Sequence, residues 1–253
     1  MLSDLLALTI NELVLCIVII FVAYVIKGLS GFGSGLVAIP LLAFFLPLPF
    51  IVPVLALLSY SGTVYQSFTY RSDVVWRDFW SLLPFSLAGI TIALWLLVNA
   101  NVTVLTFMLG IFIFCYAVYS LIPHEIKSGS RWWAVAAGSF AGLIGALFGT
   151  GGPFYVLYLR MRQVTKQQFR ATITMIFMVD GAARMFGYFY SDLFTSKIVV
   201  LALVLMPVLI LAMYVGQHLH VKINDQRFNH VVSVLLLVSG LSLAIKSIYL
   251  LVE

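Results

Sequence analysis

The sequence has few charged residues: Asp, Glu, Lys and Arg make up only 9% of its 253 residues, whereas hydrophobic residues make up 63%. A soluble domain carries about 25% charged residues, and a surface this poor in charge would not stay dispersed in water. The composition therefore excludes an ordinary soluble domain. Together with the mean hydropathy of +1.12, it predicts an all-α polytopic membrane protein.

Reactive and metal-binding patterns are also scarce. The two cysteines, Cys16 and Cys115, both lie in apolar runs, which argues against a disulfide framework or a metal site. No Ser/His/Asp, CxxC, HExxH or P-loop pattern occurs, so we expect no catalytic residue, no metal and no cofactor. The excess of Lys and Arg (14) over Asp and Glu (9) is better explained by membrane orientation than by nucleic-acid binding. Residues 1–10 lack the basic region of a signal peptide, so the first apolar run is expected to remain as a membrane segment.

Apolar runs of the length of a membrane span, about 20 residues, recur along the chain. Six are uninterrupted, and these predict helices over 51–70, 79–98, 102–122, 171–190, 198–215 and 230–251. Two longer runs, 13–46 and 132–159, are interrupted by the glycine-rich segments 28–35 and 149–153. Glycine destabilises a helix by about 1 kcal/mol relative to alanine, and proline by about 3 kcal/mol. Each of the two longer runs is therefore predicted to break into two half-helices.

The two halves of the chain are similar in order and spacing. A shift of 118 residues places Gly31 and Gly33 on Gly149 and Gly151, and it preserves the order of the spans. The sequence therefore predicts a first repeat over 1–126 and a second over 127–253, which together form one transport domain. Each repeat consists of a glycine-broken hairpin followed by three helices.

Basic residues predict the orientation of these segments. Ten of the 14 Lys and Arg lie in four loops, 71–78, 123–131, 160–170 and 217–228, which the positive-inside rule places in the cytoplasm. Each broken run must then enter and leave on one side, as a re-entrant hairpin. Three crossings per half invert the second repeat and place both termini on the periplasmic or external side. In the alternative arrangement each broken run crosses once and the halves are parallel, but some basic loops then lie outside.

Paired discontinuous helices in inverted repeats are the architecture of secondary transporters. Glycine turns that open half-helices present free N–H groups with partial positive charge, which suits an anion. Ser34 and Thr150 add hydroxyl donors beside the turns. The predicted substrate contacts at the two turns are Gly31, Gly33, Ser34, Gly35, Gly149, Thr150, Gly151 and Gly152. The alternative interpretation is that these glycines serve only close helix packing.

Charged residues inside the predicted spans supply further candidates, because such residues are costly in a membrane. Lys27 directly precedes the first turn, and Arg184 follows Asp180 by one helical turn. Arg184 can present a planar fork to an oxyanion, while Asp180 orients it or carries a proton. Tyr65 and Gln66 are candidate contacts on the span over 51–70. Alternatively, Asp180 and Arg184 neutralise each other or Arg184 reaches outward, and Lys27 only contacts backbone carbonyls.

The glycine breaks resemble a known family. Residues 27–40 (KGLSGFGSGLVAIP) and 142–153 (GLIGALFGTGGP) are similar to the two signatures of the TauE/SafE sulfite exporter family, also called the toluene-sulfonate uptake permeases. The similarity extends over essentially the whole chain. The chain departs from the pattern at Pro153, which replaces the last glycine, and at Tyr158, where the first half has Pro40.

The resemblance implies a transporter, not an enzyme, in the bacterial inner membrane that moves sulfite or organosulfonates such as sulfoacetate. We expect alternating access, with the anion between the two turns and membrane lipid around the chain, and a homodimer is a further possibility. Three alternatives stay open: an anion channel, a carrier for another small organic anion such as a carboxylate, and a membrane-embedded enzyme or assembly subunit.

Overall fold

The computed structural model describes residues 9–30, 33–69, 73–122, 128–218 and 225–252, and within these ranges it contains ten helices and no strand. In chain order the helices are α1 (Ile10–Ser30), α2 (Ser34–Leu42), α3 (Leu48–Thr69), α4 (Trp76–Asn99), α5 (Val102–Leu121), α6 (Trp133–Phe148), α7 (Gly152–Met161), α8 (Lys166–Tyr190), α9 (Ser196–His218) and α10 (Asp225–Val252). The all-helical prediction is therefore confirmed. Each of the six uninterrupted apolar runs falls on one helix.

Polar residues cap two of the helices at their starts. Helix α8 begins five residues before the predicted span: Thr165 accepts a hydrogen bond from the Gln168 backbone N–H, and the Gln168 side chain accepts one from the Thr165 N–H. This reciprocal capping box satisfies two N–H groups that a helix start leaves unpaired. At the start of α5, Asn101 accepts from the Thr103 N–H at 2.8 Å.

Both glycine-rich segments interrupt the helix, as predicted. Helix α1 ends at Ser30 and α6 at Phe148, while α2 begins at Ser34 and α7 at Gly152. Both pairs are 118 residues apart, so the two breaks share one register. Gly33 (φ 96°) and Gly149 (φ 61°) are left-handed, a conformation in which a side chain is strained.

Length and surface identify a multi-pass membrane protein. In the part of the chain that the structure describes, four helices are long and apolar enough to cross a bilayer: Ile10–Gly28, Trp76–Asn99, Val102–Leu121 and Ser196–Gly216. Large apolar side chains lie on the outside; Trp95, Leu203 and Phe186 are 64%, 63% and 70% exposed. A contiguous apolar surface of this kind requires lipid as its solvent.

The chain forms two compact units. Unit 1 contains α1, α2, α5, α9 and α10. In it α1 packs on α9 and on α2, and α5 packs on α10. Backbones approach closely at both main interfaces: a Cβ on Gly28 would lie 3.0 Å from the Gly216 Cα, and one on Gly110 would lie 2.7 Å from the Ala244 nitrogen.

Unit 2 contains α3 from Val52 onward, α4, α6, α7 and α8. Helix α4 packs on α6 and α8, and α7 packs on α6 and α8. The Gly129 N–H, which lies before α6, donates to the Met161 carbonyl at the end of α7 at 3.0 Å. The start of α6 and the end of α7 therefore lie side by side, and the two helices form a hairpin with Gly149 at its turn.

Candidate functional site

The predicted residues of the first turn lie in unit 1. Lys27 occupies the last turn of α1, and its Nζ lies 5.4 Å from the centre of the Tyr24 ring, within cation–π range. Ser34 is the first residue of α2 and is buried, next to the left-handed Gly33. Gly35 follows it in α2, whereas Gly31 lies outside the described residues.

Two further candidates lie on α3. Tyr65 and Gln66 are helical in backbone, but their side chains fall outside the described part of the chain. Their role as substrate contacts stays a prediction.

The second turn, residues 149–152, is built by a short and well-defined chain reversal. Gly149 ends α6, and its N–H donates to the Gly145 carbonyl at 3.0 Å. Gly151 packs too closely for any side chain, because a Cβ there would lie 2.2 Å from the Ala141 carbonyl oxygen. Gly151 therefore permits close packing of the backbone, which is the alternative role that we gave for these glycines. Gly152 has more room, since a Cβ there would lie 3.4 Å from the tip of Phe177.

Thr150 lies at this turn with its hydroxyl buried. The residue is 3% exposed, and its Oγ1 has no hydrogen-bond partner among the described residues. A buried hydroxyl without a partner costs about 1–3 kcal/mol. Natural proteins retain such a group where a ligand, an ion or water completes it.

Arg184 reaches the same turn from α8. Its Nη1 donates to the Gly145 carbonyl at 2.9 Å. A Cβ built on Gly145 would lie 3.6 Å from both Arg184 Nη1 and the Gly151 nitrogen. The guanidinium and the start of α7 therefore both approach Gly145, with room between them for a methyl group. Arg184 Nε is buried and has no partner among the described residues, so a second donor is available here.

Asp180 contacts the Arg184 guanidinium at its second terminal nitrogen, Nη2. Its Oδ2 lies 2.7 Å from Arg184 Nη2, and the carboxylate is 1% exposed. Its Oδ1 accepts hydrogen bonds from Ser86 Oγ on α4 at 2.5 Å and Tyr155 OH on α7 at 2.7 Å. We call these four residues the Asp180 cluster. The gap that Ser86, Tyr155 and Asp180 line cannot hold a water molecule.

The predicted pairing of Asp180 and Arg184 is thus present, and the outward alternative for Arg184 is wrong. Its side chain is only 16% exposed and turns inward toward Gly145, because the carbonyl and the carboxylate hold it. One turn further along α8, Tyr188 OH donates to the Ala146 carbonyl at 2.6 Å. Helix α8 is therefore fastened to the end of α6 at two successive turns.

A second buried carboxylate escaped the sequence reasoning. Asp78 is 2% exposed, and its Oδ1 lies 3.3 Å from Arg131 Nε, 3.1 Å from Arg162 Nε and 3.0 Å from Tyr158 OH. We call these four residues the Asp78 cluster. Arg162 Nη1 also donates to the Gly129 carbonyl at 2.7 Å. The cluster joins the start of α4 to both ends of the α6–α7 hairpin.

The signals for these missed residues were weak. Asp78 and Arg162 stood among loop charges that we interpreted only as orientation signals. Ser86 and Tyr155 are single polar groups in apolar runs. Tyr155 and Tyr158 do share one face of α7, a spacing of three that could have indicated two buried hydroxyls.

No group of three or more His, Cys, Asp or Glu side chains in the described ranges could hold a metal ion. Cys16 and Cys115 are both free thiols. Arg184, Thr150 and the backbone of the second turn can bind an anion by hydrogen bonds and charge.

Comparison with known proteins agrees with this chemistry. The chain is 26% identical over 177 residues to a probable inner membrane transporter protein TsaS of Comamonas testosteroni, which covers 68% of this chain and 73% of that protein. No solved structure matches the chain. The family model described as sulfite exporter TauE/SafE matches residues 16–243. Since this match covers most of the sequence, the expectation of a transporter, not an enzyme, is confirmed, and the chain belongs to the sulfite exporter TauE/SafE family of membrane transporters.

Proposed function

We propose that this protein is a secondary carrier for small sulfur-containing anions, sulfite or organosulfonates such as sulfoacetate, across the bacterial inner membrane. The observation that carries the proposal is the pair of buried donors at the second turn, Thr150 Oγ1 and Arg184 Nε, which lack partners in the described part of the chain. The family match supports the class of substrate.

The chemistry of the second turn suits a sulfonate or sulfite group. Three oxygens on one sulfur can accept several hydrogen bonds at once from donors that converge. Arg184 offers a planar guanidinium, Thr150 a hydroxyl, and the start of α7 backbone N–H groups with partial positive charge. In the proposed site, one oxyanion occupies the space bordered by Arg184 and the Gly151 nitrogen. The predicted contacts of the first turn belong to unit 1 and stay a prediction: Lys27, Gly31, Gly33, Ser34 and Gly35.

The helix contacts support an inverted repeat of two halves, 1–126 and 127–253. In unit 1 the first helix of the first half, α1, packs on α9 of the second half. In unit 2 the equivalent helix of the second half, α6, packs on α4 of the first half. This reciprocal exchange of helices between the halves is what two copies of one repeat would produce. Inverted repeats of this kind support alternating access in other carriers.

The ends of the helices support the proposed orientation. The Asp78 cluster gathers residues from three loops with predicted cytoplasmic placement, at 71–78, 123–131 and 160–170. Four exposed tryptophans surround the starts of α4 and α6, as expected at a membrane interface: Trp76, Trp80, Trp132 and Trp133.

At one end of unit 1, the predicted spans that adjoin the predicted external segments 47–49, 99–101 and 252–253 meet. Residues 43–47, 102–106 and 246–247 line a cavity of about 220 Å³. This grouping matches the hypothesis that both termini are periplasmic.

Helix α1, with 21 residues, is about as long as the hydrocarbon core is thick, so a re-entrant α1 must be tilted or begin in the interface. Thr9 and Glu12, which hydrogen-bond to each other at its start, suit the interface.

Replacement of Gly145 by alanine tests the site. The new methyl group would make ordinary van der Waals contacts, at 3.5–3.6 Å, with Gly151 and Arg184, so the fold should tolerate it. It would, however, fill the space that the anion is proposed to occupy. We expect Gly145→Ala to reduce the uptake of labelled sulfoacetate and sulfite into proteoliposomes at least tenfold.

Gly152→Ala is the matched control, because it adds the same methyl group at the same turn but toward Phe177. It leaves the Gly152 N–H, the group by which this residue would contact the anion, in place, so it should retain most of the flux. Equal flux in two variants that elute and unfold like wild type would contradict the proposed site. Wild-type flux no greater than that of empty liposomes for every anion tested would contradict the proposed function. Counter-transport of unlabelled substrate distinguishes a carrier from a channel, which would instead give single-channel currents.

A further inference from the structure

We infer that Asp180 is the proton-binding residue of the transport cycle, and that it exchanges its bond to Arg184 for a proton each time an anion binds. This inference rests on the proposed function. Its physical basis is the charge balance of a closed site and the arrangement of oxygens around Asp180.

The charge balance concerns Arg184 and its partner. In the structure Arg184 Nη2 pairs with Asp180 Oδ2 at 2.7 Å, and both side chains are largely shielded from solvent. An anion that binds Arg184 would place two negative groups on one guanidinium. Such an excess charge is costly in surroundings of low dielectric constant. A proton on Asp180 removes the excess, so the Asp180 cluster of unit 2 is by itself neutral both without an anion and with a singly charged one.

The oxygens around Asp180 provide a place for this proton. Ser86 Oγ, Tyr155 OH and Asp180 Oδ1 lie 2.5, 2.6 and 2.7 Å from one another. The two hydroxyls supply protons for two of these three contacts, so the third contact can accept one more proton. A proton from water that forms an O–H bond at the Asp180 carboxylate gives each contact its own proton. When the anion leaves, this O–H bond breaks, the proton returns to water and the carboxylate pairs again with Arg184.

Few other groups near Asp180 could take this role. Helix α7 contributes Tyr155 and α4 contributes Ser86, while α6 presents backbone carbonyls at Gly145 and Ala146. Helix α3 places Tyr60 against Gly181, the neighbour of Asp180. On α8 itself the nearest ionisable groups are Arg184 and Tyr188. Among these described groups, Asp180 is the only carboxylate.

Proton uptake by the wild-type protein is the first test. Proteoliposomes with a trapped pH dye and a membrane potential clamped at zero are given methanesulfonate, because this anion carries a single charge and no exchangeable proton at neutral pH. We expect one proton to enter with each anion, and an inward proton gradient to accelerate uptake. Uptake of the anion without acidification of the interior would overturn the inference while leaving the proposed function intact.

Asp180→Asn is the second test. Asparagine keeps the size of the side chain and its hydrogen-bond acceptor, but it takes up no proton and leaves Arg184 with an uncompensated charge in the empty state. In this variant the positive charge of Arg184 is balanced when a singly charged anion is bound and is unbalanced when no anion is bound. We therefore expect the rate at which labelled anion exchanges for unlabelled anion to stay within about threefold of wild type. Net uptake should fall at least tenfold, and the interior of the proteoliposomes should not acidify.

Asp192→Asn is the matched control, because Asp192 is exposed just after α8 and its left-handed backbone (φ 54°) suits asparagine equally well. It should keep both exchange and proton uptake. Acidification that persists in Asp180→Asn would overturn the inference. If this variant does not fold, the wild-type proton count still decides. Absence of flux of every anion in wild type would instead overturn the proposed function.

Discussion

Unit 2 contains two buried aspartates whose surroundings differ in a useful way. Asp78 is 2% exposed and receives three donors on Oδ1, two of them from the arginines Arg131 and Arg162. Asp180 is 1% exposed and meets one arginine on Oδ2 and two hydroxyls on Oδ1. Asp78 therefore has two positively charged partners for its single negative charge, whereas Asp180 has one.

The partners show what each cluster can do. Arg131 and Arg162 are 34% and 22% exposed in their side chains, and they connect the ends of the α6–α7 hairpin to α4. Water can therefore compensate the surplus positive charge there, and the Asp78 cluster serves to hold the helices together. Arg184 instead has a buried Nε without a described partner at the turn. A network with one cation and one open donor is suited to exchange its anion, whereas a network with surplus cations is suited to hold helices in place.

The largest expected effect sharpens this contrast. Arg184→Lys keeps the positive charge beside Asp180 but removes the planar fork and the Nε donor. Hydrogen bonds to charged groups contribute about 1.5–3 kcal/mol each, so we expect transport of organosulfonates to fall about 100-fold. The rate of organosulfonate uptake into proteoliposomes measures this loss.

Arg162→Lys, the same exchange in the Asp78 cluster, is the control and should leave flux within about twofold of wild type. Similar flux in both variants would mean that the arginines do not differ in function.

The next effect concerns stability. Asp78→Asn leaves Arg131 and Arg162 without their carboxylate. Loss of one partner of a buried pair costs about 3–5 kcal/mol, but both arginines are partly solvated, so we expect about 2 kcal/mol. Thermal unfolding in detergent should shift down by about 5 °C, while the affinity for sulfonate measured on the cooled protein stays near wild type. Weakened affinity without a thermal shift would place Asp78 in the substrate site instead.

The Asp180–Arg184 pair was visible in the sequence because both residues lie one helical turn apart in an apolar run, where charge is rare. The partners of Asp180 were not visible, since Ser86 precedes it by 94 residues and a single serine in an apolar helix usually bonds to its own backbone. Asp78 was hidden for the opposite reason, because it stood among loop charges where an aspartate is ordinary. Only the fold brings it to Arg131 and Arg162.

The glycine breaks illustrate the same limit. Their positions and common register followed from composition alone, because several helix-breaking residues in a short segment cannot continue a helix. The role of each glycine did not follow. Gly149 makes the turn and Gly151 permits close packing, whereas Gly145, which lies in the second signature but was not among the predicted contacts, lies beside Arg184. Such roles depend on distances to residues of other helices.

The smallest effects come from a matched pair of tyrosines on α7. Tyr158→Phe and Tyr155→Phe each remove one hydroxyl that donates to a buried carboxylate, and each should lower stability by about 1 kcal/mol. Their effects on transport should differ. The Tyr155 hydroxyl donates to the carboxylate that holds Arg184, whereas the Tyr158 hydroxyl donates to Asp78. Because a hydrogen bond of about 1 kcal/mol corresponds to roughly a fivefold change, we expect net uptake of sulfoacetate to fall about fivefold in Tyr155→Phe and to stay within about twofold of wild type in Tyr158→Phe. Equal net uptake in the two variants would remove the functional distinction between the Asp78 and Asp180 clusters, even if both variants were destabilised equally.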